Sequence, residues 1–187
     1  MLSTKDMAYV VKNPGQLTDV EIKTILDSWD VPDWSDMKPD EFKNRFRKSE
    51  FHLLTDSTSN MLSIARINFN FRVKIDDTEY KIAELVGFVA VEILKGYGKI
   101  LLDRTGDNLK NRNIESIGFC KNKNSTFYES CGLKIFYNRV KFLREMKDGK
   151  WFTPTEDDDI FSLTLSDRTI PLFERLSHDH LAYLIFE

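Results

Sequence analysis

Glycine and proline are scarce, at 8 and 5 of 187 residues, so the chain is neither collagen-like nor of low complexity. Cysteine is scarcer still. Cys120 and Cys131 are too few for a disulfide framework and lack a metal-ligand spacing, so reduced thiols in a cytoplasmic protein are expected. No apolar run nears the ~18 residues of a membrane span, and the opening Met1-Leu2-Ser3-Thr4-Lys5-Asp6 holds no signal-like apolar core. A formal charge of -3 gives no global case for nucleic-acid binding, which shows as a strongly basic domain. The basic stretch from Lys121 to Lys150 is the one feature that would suit a nucleic acid, and Glu156 to Glu187 is acidic.

What is present is a hydrophobic fraction of 41% with 14 Phe, enough for a thick core. A chain of this size buries roughly 70% of its unfolded surface, so one domain over residues 1–187 is expected.

A short strand from Ala8 to Val11 leads to the turn Asn13-Pro14-Gly15. Thr18 and Glu21 form a capping box, and Ile22, Ile25, Leu26 and Trp29 share one helical face. The loop from Asp30 to Asp36 precedes a second helix with Pro39 in its first turn and Phe42 and Phe46 on one side. Phe51 to Thr55 reads as a strand. From Ala65 to Ile75 every odd residue is apolar, and beyond Asp76-Asp77 the even positions Tyr80, Ile82, Val86, Phe88 and Ala90 take over. A two-residue turn would then pair Val73 with Tyr80, Phe71 with Ile82 and Ala65 with Phe88. A helix over 99–112, a strand from Ile114 to Phe119, and a helix capped by Asn122 or Asn124 and ending at Gly132 follow. A long strand is expected from Leu133 to Leu143, a late one through Phe161, Leu163 and Leu165, and a closing helix through Phe173, Leu176, Leu181 and Leu184. This order predicts an α/β fold, a mixed and mostly antiparallel central sheet flanked by helices.

Two segments carry chemistry. Val89-Ala90-Val91 runs into Lys95-Gly96-Tyr97-Gly98-Lys99 and a helix, an arrangement that presents unpaired backbone N–H groups to phosphate oxygens. Glu84 is an acid on an otherwise apolar strand face, where desolvation would raise its pKa toward that of a general base. An ion pair with an arginine, or a different register, is the plainer reading of the same residue. His178-Asp179-His180 does not make a metal site, because i, i+2 sets the imidazoles on different sides of a helix, and no metal is expected.

With Phe127-Tyr128-Glu129-Ser130-Cys131-Gly132-Leu133, these segments resemble the GNAT superfamily of N-acetyltransferases from about Ala8 to Leu165. The family writes its phosphate loop Q/R-x-x-G-x-G/A; here Gly96 and Gly98 are the glycines, Ile93 stands where Gln or Arg is usual, and the loop is about three residues short. The helix ending Y-x-x-x-G-F/L is matched by Tyr128, Gly132 and Leu133. A fainter likeness to the aminoglycoside 2′-N-acetyltransferase branch runs through Val89-Ala90-Val91 and Thr153 to Asp158.

The resemblance implies acetyl-CoA as cosubstrate and an amine acceptor, polyamine- or aminoglycoside-like, acetylated by direct transfer in a ternary complex. Val89 and Val91 would give main-chain bonds to the pantetheine arm; Lys95, Gly96, Tyr97, Gly98 and Lys99 would wrap the diphosphate, and Asn124 would assist. Tyr128 is carried over as general acid. Trp29, Asp30, Asp33 and Trp34 sit where the family often binds its acceptor. A noncatalytic CoA-binding module keeping the same fold is the alternative. Assembly is open, a homodimer being one option.

Overall fold

A computed structural model of the chain describes residues 7–92, 95–154 and 158–186. The elements in the first stretch are β1 (Met7–Lys12), α1 (Asp19–Trp29), α2 (Pro39–Arg45), β2 (Ser49–Asp56), β3 (Met61–Asn68), β4 (Phe71–Ile75), β5 (Thr78–Tyr80) and β6 (Ile82–Ala90). After the loop come α3 (Tyr97–Asn111), β7 (Glu115–Lys121), α4 (Ser125–Ser130), β8 (Lys134–Phe136), β9 (Leu143–Lys147) and β10 (Lys150–Phe152). The last are β11 (Asp158–Ser162), α5 (Ile170–Glu174) and β12 (Ala182–Phe186). The fold is mixed α/β and mostly antiparallel, as the sequence predicts. No helix among the described residues is long and apolar enough to cross a membrane.

The chain forms two compact units: Met1–Asn68 with Val86–Thr105, and Phe69–Leu85 with Gly106–Glu187. In the first, β1, β2 and β3 pair antiparallel in order and β3 neighbours the end of β6. Odd residues of β2, Phe51 and Leu53, face Ile22 and Ile25 of α1 and Phe42 of α2. The even residue Leu54 faces the start of α3 through Tyr97 and Leu101. Alternation on one strand thus builds two cores, one on each side of the sheet. The Thr18 hydroxyl accepts from Glu21 N–H at 3.2 Å and the Glu21 carboxylate from Thr18 N–H at 2.9 Å, the expected capping box.

In the second unit the start of β6 runs parallel to β7, with Ile82 opposite Glu115 and Leu85 opposite Gly118. β11 pairs antiparallel with both β7 and β8. A second sheet is ordered β10-β9-β12-β4-β5. Phe71, Val73, Ile75 and Leu184 of this sheet share one core with Phe136 of β8, Ile160 of β11 and Phe173 of α5.

Three expectations need correction. The strand expected from residue 65 to 75 breaks at Phe69-Asn70, and β4 joins the second sheet beside β12. The strand expected from Leu133 to Leu143 is cut short because Asn138 turns left-handed (φ 56), and its N–H is held by the Asp159 carboxylate at 2.8 Å. The closing helix is only α5: Leu184 belongs to β12, where Ala182 and Leu184 point inward and Tyr183 and Ile185 outward, a period of two rather than 3.6.

Candidate functional site

The end of β6 is irregular. Gly87 has φ +63, and its carbonyl accepts the Trp29 Nε1–H at 2.7 Å. A Cβ there would lie 2.7 Å from three indole atoms, so both the backbone angle and the approach of the ring require glycine. The indole is itself packed among Trp34, Phe42, Phe46 and Phe51, at centroid distances of 5.6–6.1 Å.

Beyond Gly87 the Val89 carbonyl accepts from Ser63 Oγ at 2.9 Å, and Val91 N–H donates to the Leu62 carbonyl at 3.0 Å. The second bond lies three residues out from Ala65 and Phe88 on both strands, as the expected register requires. The Val89 carbonyl and the Val91 N–H are thus both engaged by β3. Successive residues of a strand turn their N–H and C=O to opposite edges, so the groups directed away from β3 include those of Ala90.

Glu92 and Lys95 are exposed; Ile93 lies outside the described residues, as do Glu156 and Asp157 of the acidic stretch. Gly96 takes φ +79 and its carbonyl receives the Ile100 N–H at 3.2 Å, which opens α3. The N–H groups of Tyr97, Gly98 and Lys99 fall in the first turn, where helix geometry gives them no partner within the helix. A 15-residue helix adds positive potential at this end. The Tyr97 side chain is buried against Leu54, Leu62 and Leu101, so only its backbone is left for a ligand. Lys99 reaches both oxygens of exposed Asp103 at 3.2 Å.

α1 ends as Asp30 turns left-handed (φ 50), with its N–H on the Leu26 carbonyl. Asp30 and Asp33 point to solvent, whereas Trp34 is half-buried edge-on to Trp29 and lies under the Arg45 guanidinium, 5.2 Å from its ring centre. Of the four expected acceptor residues, the two tryptophans are framework and the two carboxylates face outward.

Tyr128 belongs to the second unit. Its ring stacks on Phe161 at 4.2 Å and 16°, and Phe161 in turn covers Gly118 so closely that a Cβ there would meet the ring at 2.2 Å. Burial, reinforced by Cys120 and Cys131 nearby, pushes the phenol well above its ordinary 10, so it stays protonated at neutral pH. Buried Asp159 fixes the helix that carries it: its carboxylate accepts from Ser125 Oγ at 2.7 Å and from Asn138 N–H at 2.8 Å. Cys120 Sγ lies 3.6 Å from the same Ser125 hydroxyl, and burial raises the Cys120 thiol pKa, which makes it a poor nucleophile. Asp159→Ala is therefore expected to cost about 2 kcal/mol, since the buried Ser125 hydroxyl and the Asn138 N–H lose their partner; urea unfolding measures it.

Asn124 is exposed at the N-cap of α4 and makes no side-chain capping bond. Glu84 is half-buried on β6 opposite Ile117 of β7; Phe69, which the two-residue turn at Asp76-Asp77 would have set opposite Glu84, lies in the break before β4. Sequence reasoning missed Phe161, Gly118, Asp159 and the Gly87 irregularity. Isolated glycines inside strand patterns, Gly87 and Gly118, were the available clue. Among the described residues no group of three or more metal-ligand side chains is present.

This architecture is the fold of the GNAT acyl-CoA N-acyltransferases. A GNAT-family N-acetyltransferase from Escherichia coli, YhbS, solved in complex with CoA, superposes with a TM-score of 0.60 at 12% identity over 97% of this chain and 90% of that one. A chimera of the Vibrio cholerae spermidine N-acetyltransferase SpeG and hSSAT gives 0.56 at 12% over 89% and 99%. The Campylobacter jejuni N-acetyltransferase PseH gives 0.53 at 15% over 84% and 99%. No protein-family model and no curated protein matches the chain.

Proposed function

We propose that the chain is an acetyl-CoA-dependent N-acetyltransferase that moves the acetyl group to a primary amine of a small molecule, polyamine- or aminoglycoside-like, by direct transfer in a ternary complex. The observation that carries this is the Gly96 turn opening α3, whose first-turn amides have no partner within the helix, in a fold for which a solved example holds CoA. Those amides, with exposed Lys95, suit a diphosphate, which is negatively charged and rich in acceptor oxygens. Main chain at Ala90 suits the thioester arm, and Asn124 stands as a second cofactor contact.

In the proposed reaction the neutral amine attacks the thioester carbonyl carbon and forms the C–N bond. The C–S bond then breaks as the tetrahedral centre collapses. Tyr128 gives its phenolic proton to the departing thiolate, and the proton of the acylated amine leaves to Glu84 or water. Asp30 and Asp33 offer negative charge to a cationic acceptor. No covalent acetyl-enzyme is needed, which suits two cysteines that are both buried.

One observation favours a second reading. Tyr128 is only 8% exposed and its phenol is a weakened acid, as suits a CoA-binding module without turnover. Thiol release from acetyl-CoA over a panel of polyamines, aminoglycosides and peptides separates the two. Acceptor-dependent release supports the transferase; saturable CoA binding without release supports the module.

A further inference from the structure

Trp29 faces two features at once. It is the last residue of α1, immediately before the loop from Asp30 to Asp36, and its indole N–H donates to the Gly87 carbonyl at 2.7 Å. The ring occupies the space a Gly87 side chain would need, and is braced by Trp34 at 5.8 Å, Phe42 at 6.1 Å and Phe46 at 5.6 Å. A ring so braced cannot shift without moving both the loop that follows it and the strand it touches. A partly buried indole N–H needs an acceptor, and here that acceptor is the one carbonyl that ties the end of α1 to the irregular turn of β6.

We propose that Trp29 is a positioning residue: its bond to Gly87 registers the Asp30–Asp36 loop against the part of β6 beyond the irregularity, and so sets where an acceptor amine meets the thioester. This rests on the acetyl-transfer reading above. The side chain touches neither substrate. It holds the acidic loop and the main chain of Phe88 to Ala90 in one geometry, and reaction rates are sensitive to misplacements of about 1 Å.

Trp29→Phe keeps an apolar ring and removes the donor. For this variant kcat is expected to fall about tenfold to a hundredfold with a raised acceptor KM, while the Kd for CoA measured by calorimetry stays within about twofold. A purely structural role would lower the unfolding midpoint and leave the kcat and KM of the folded fraction alone, and that result overturns the inference. Should the phenylalanine variant not fold, benzothienylalanine at position 29, matched in size to indole but lacking the N–H, gives the same readout: normal turnover overturns the inference and reduced turnover supports it. Wild-type protein that releases no thiol with any amine overturns the acetyl-transfer reading and this inference with it; wild-type turnover matched by the variant overturns this inference alone.

Discussion

Tyr128→Phe is expected to lose about a hundredfold in acetyl-transfer turnover, the lower end of what a positioned general acid contributes, while CoA binds with nearly unchanged affinity. The ring itself would stay stacked on Phe161 at 4.2 Å, so the variant removes a hydroxyl and little packing. Its pH dependence is equally specific. A phenol pushed above 10 by burial remains protonated from pH 6 to pH 9, so no alkaline fall in wild-type turnover within that range should trace to Tyr128. Stopped-flow or single-turnover thiol release reads the loss directly; wild-type rates in the variant would remove Tyr128 from the mechanism.

Gly118→Ala should destabilise the second unit by about 1–3 kcal/mol, the usual range for forcing a methyl into a filled core. Nothing about the backbone angle at Gly118 demands glycine. The cost arises because Phe161 Cζ stands 2.2 Å from where the methyl would be, and moving Phe161 moves the Tyr128 ring stacked on it. Turnover should therefore fall together with stability, which sets this variant apart from Tyr128→Phe. Thermal unfolding monitored by near-ultraviolet circular dichroism measures the first effect, and an unchanged midpoint would contradict the stack.

The local parts of the fold were legible in the sequence. The capping box of α1 and the apolar face ending at Trp29 need only neighbours within a few residues. So does the turn at Asp76-Asp77, where both residues take positive φ and Val73 faces Tyr80 as the alternation predicts. What was hidden is set by distant partners. Alternation continues unbroken through Phe69-Asn70, so nothing in the pattern says that Phe71–Ile75 leaves its strand to pair with Phe186 and Ala182 near the end of the chain. Leu181 and Leu184 are three apart, a spacing that suits one face of a helix and opposite faces of a strand, and only the pairing of β12 with β4 and β9 decides for strand.

The candidate site divides the same way. The glycine turn that opens α3 at Gly96 is a local signature and was legible; the Trp29 bond to Gly87 spans 58 residues of sequence and was not. Trp29 and Trp34 were read as acceptor contacts from the family resemblance, because acidic and aromatic groups suit a polycationic amine. Their half-buried rings also complete the aromatic core formed with Phe42, Phe46 and Phe51, which the sequence did not reveal. Val89 and Val91 were placed by family resemblance, which fixes the strand but not which of its edges each residue faces.

The most direct measurement is isothermal titration of the intact chain with CoA at moderate salt. Saturable one-to-one binding is expected, weakened when the diphosphate is removed, as with pantetheine alone. No heat with CoA, or equal binding of CoA and pantetheine, would contradict the claim that the amides following Gly96 hold a diphosphate.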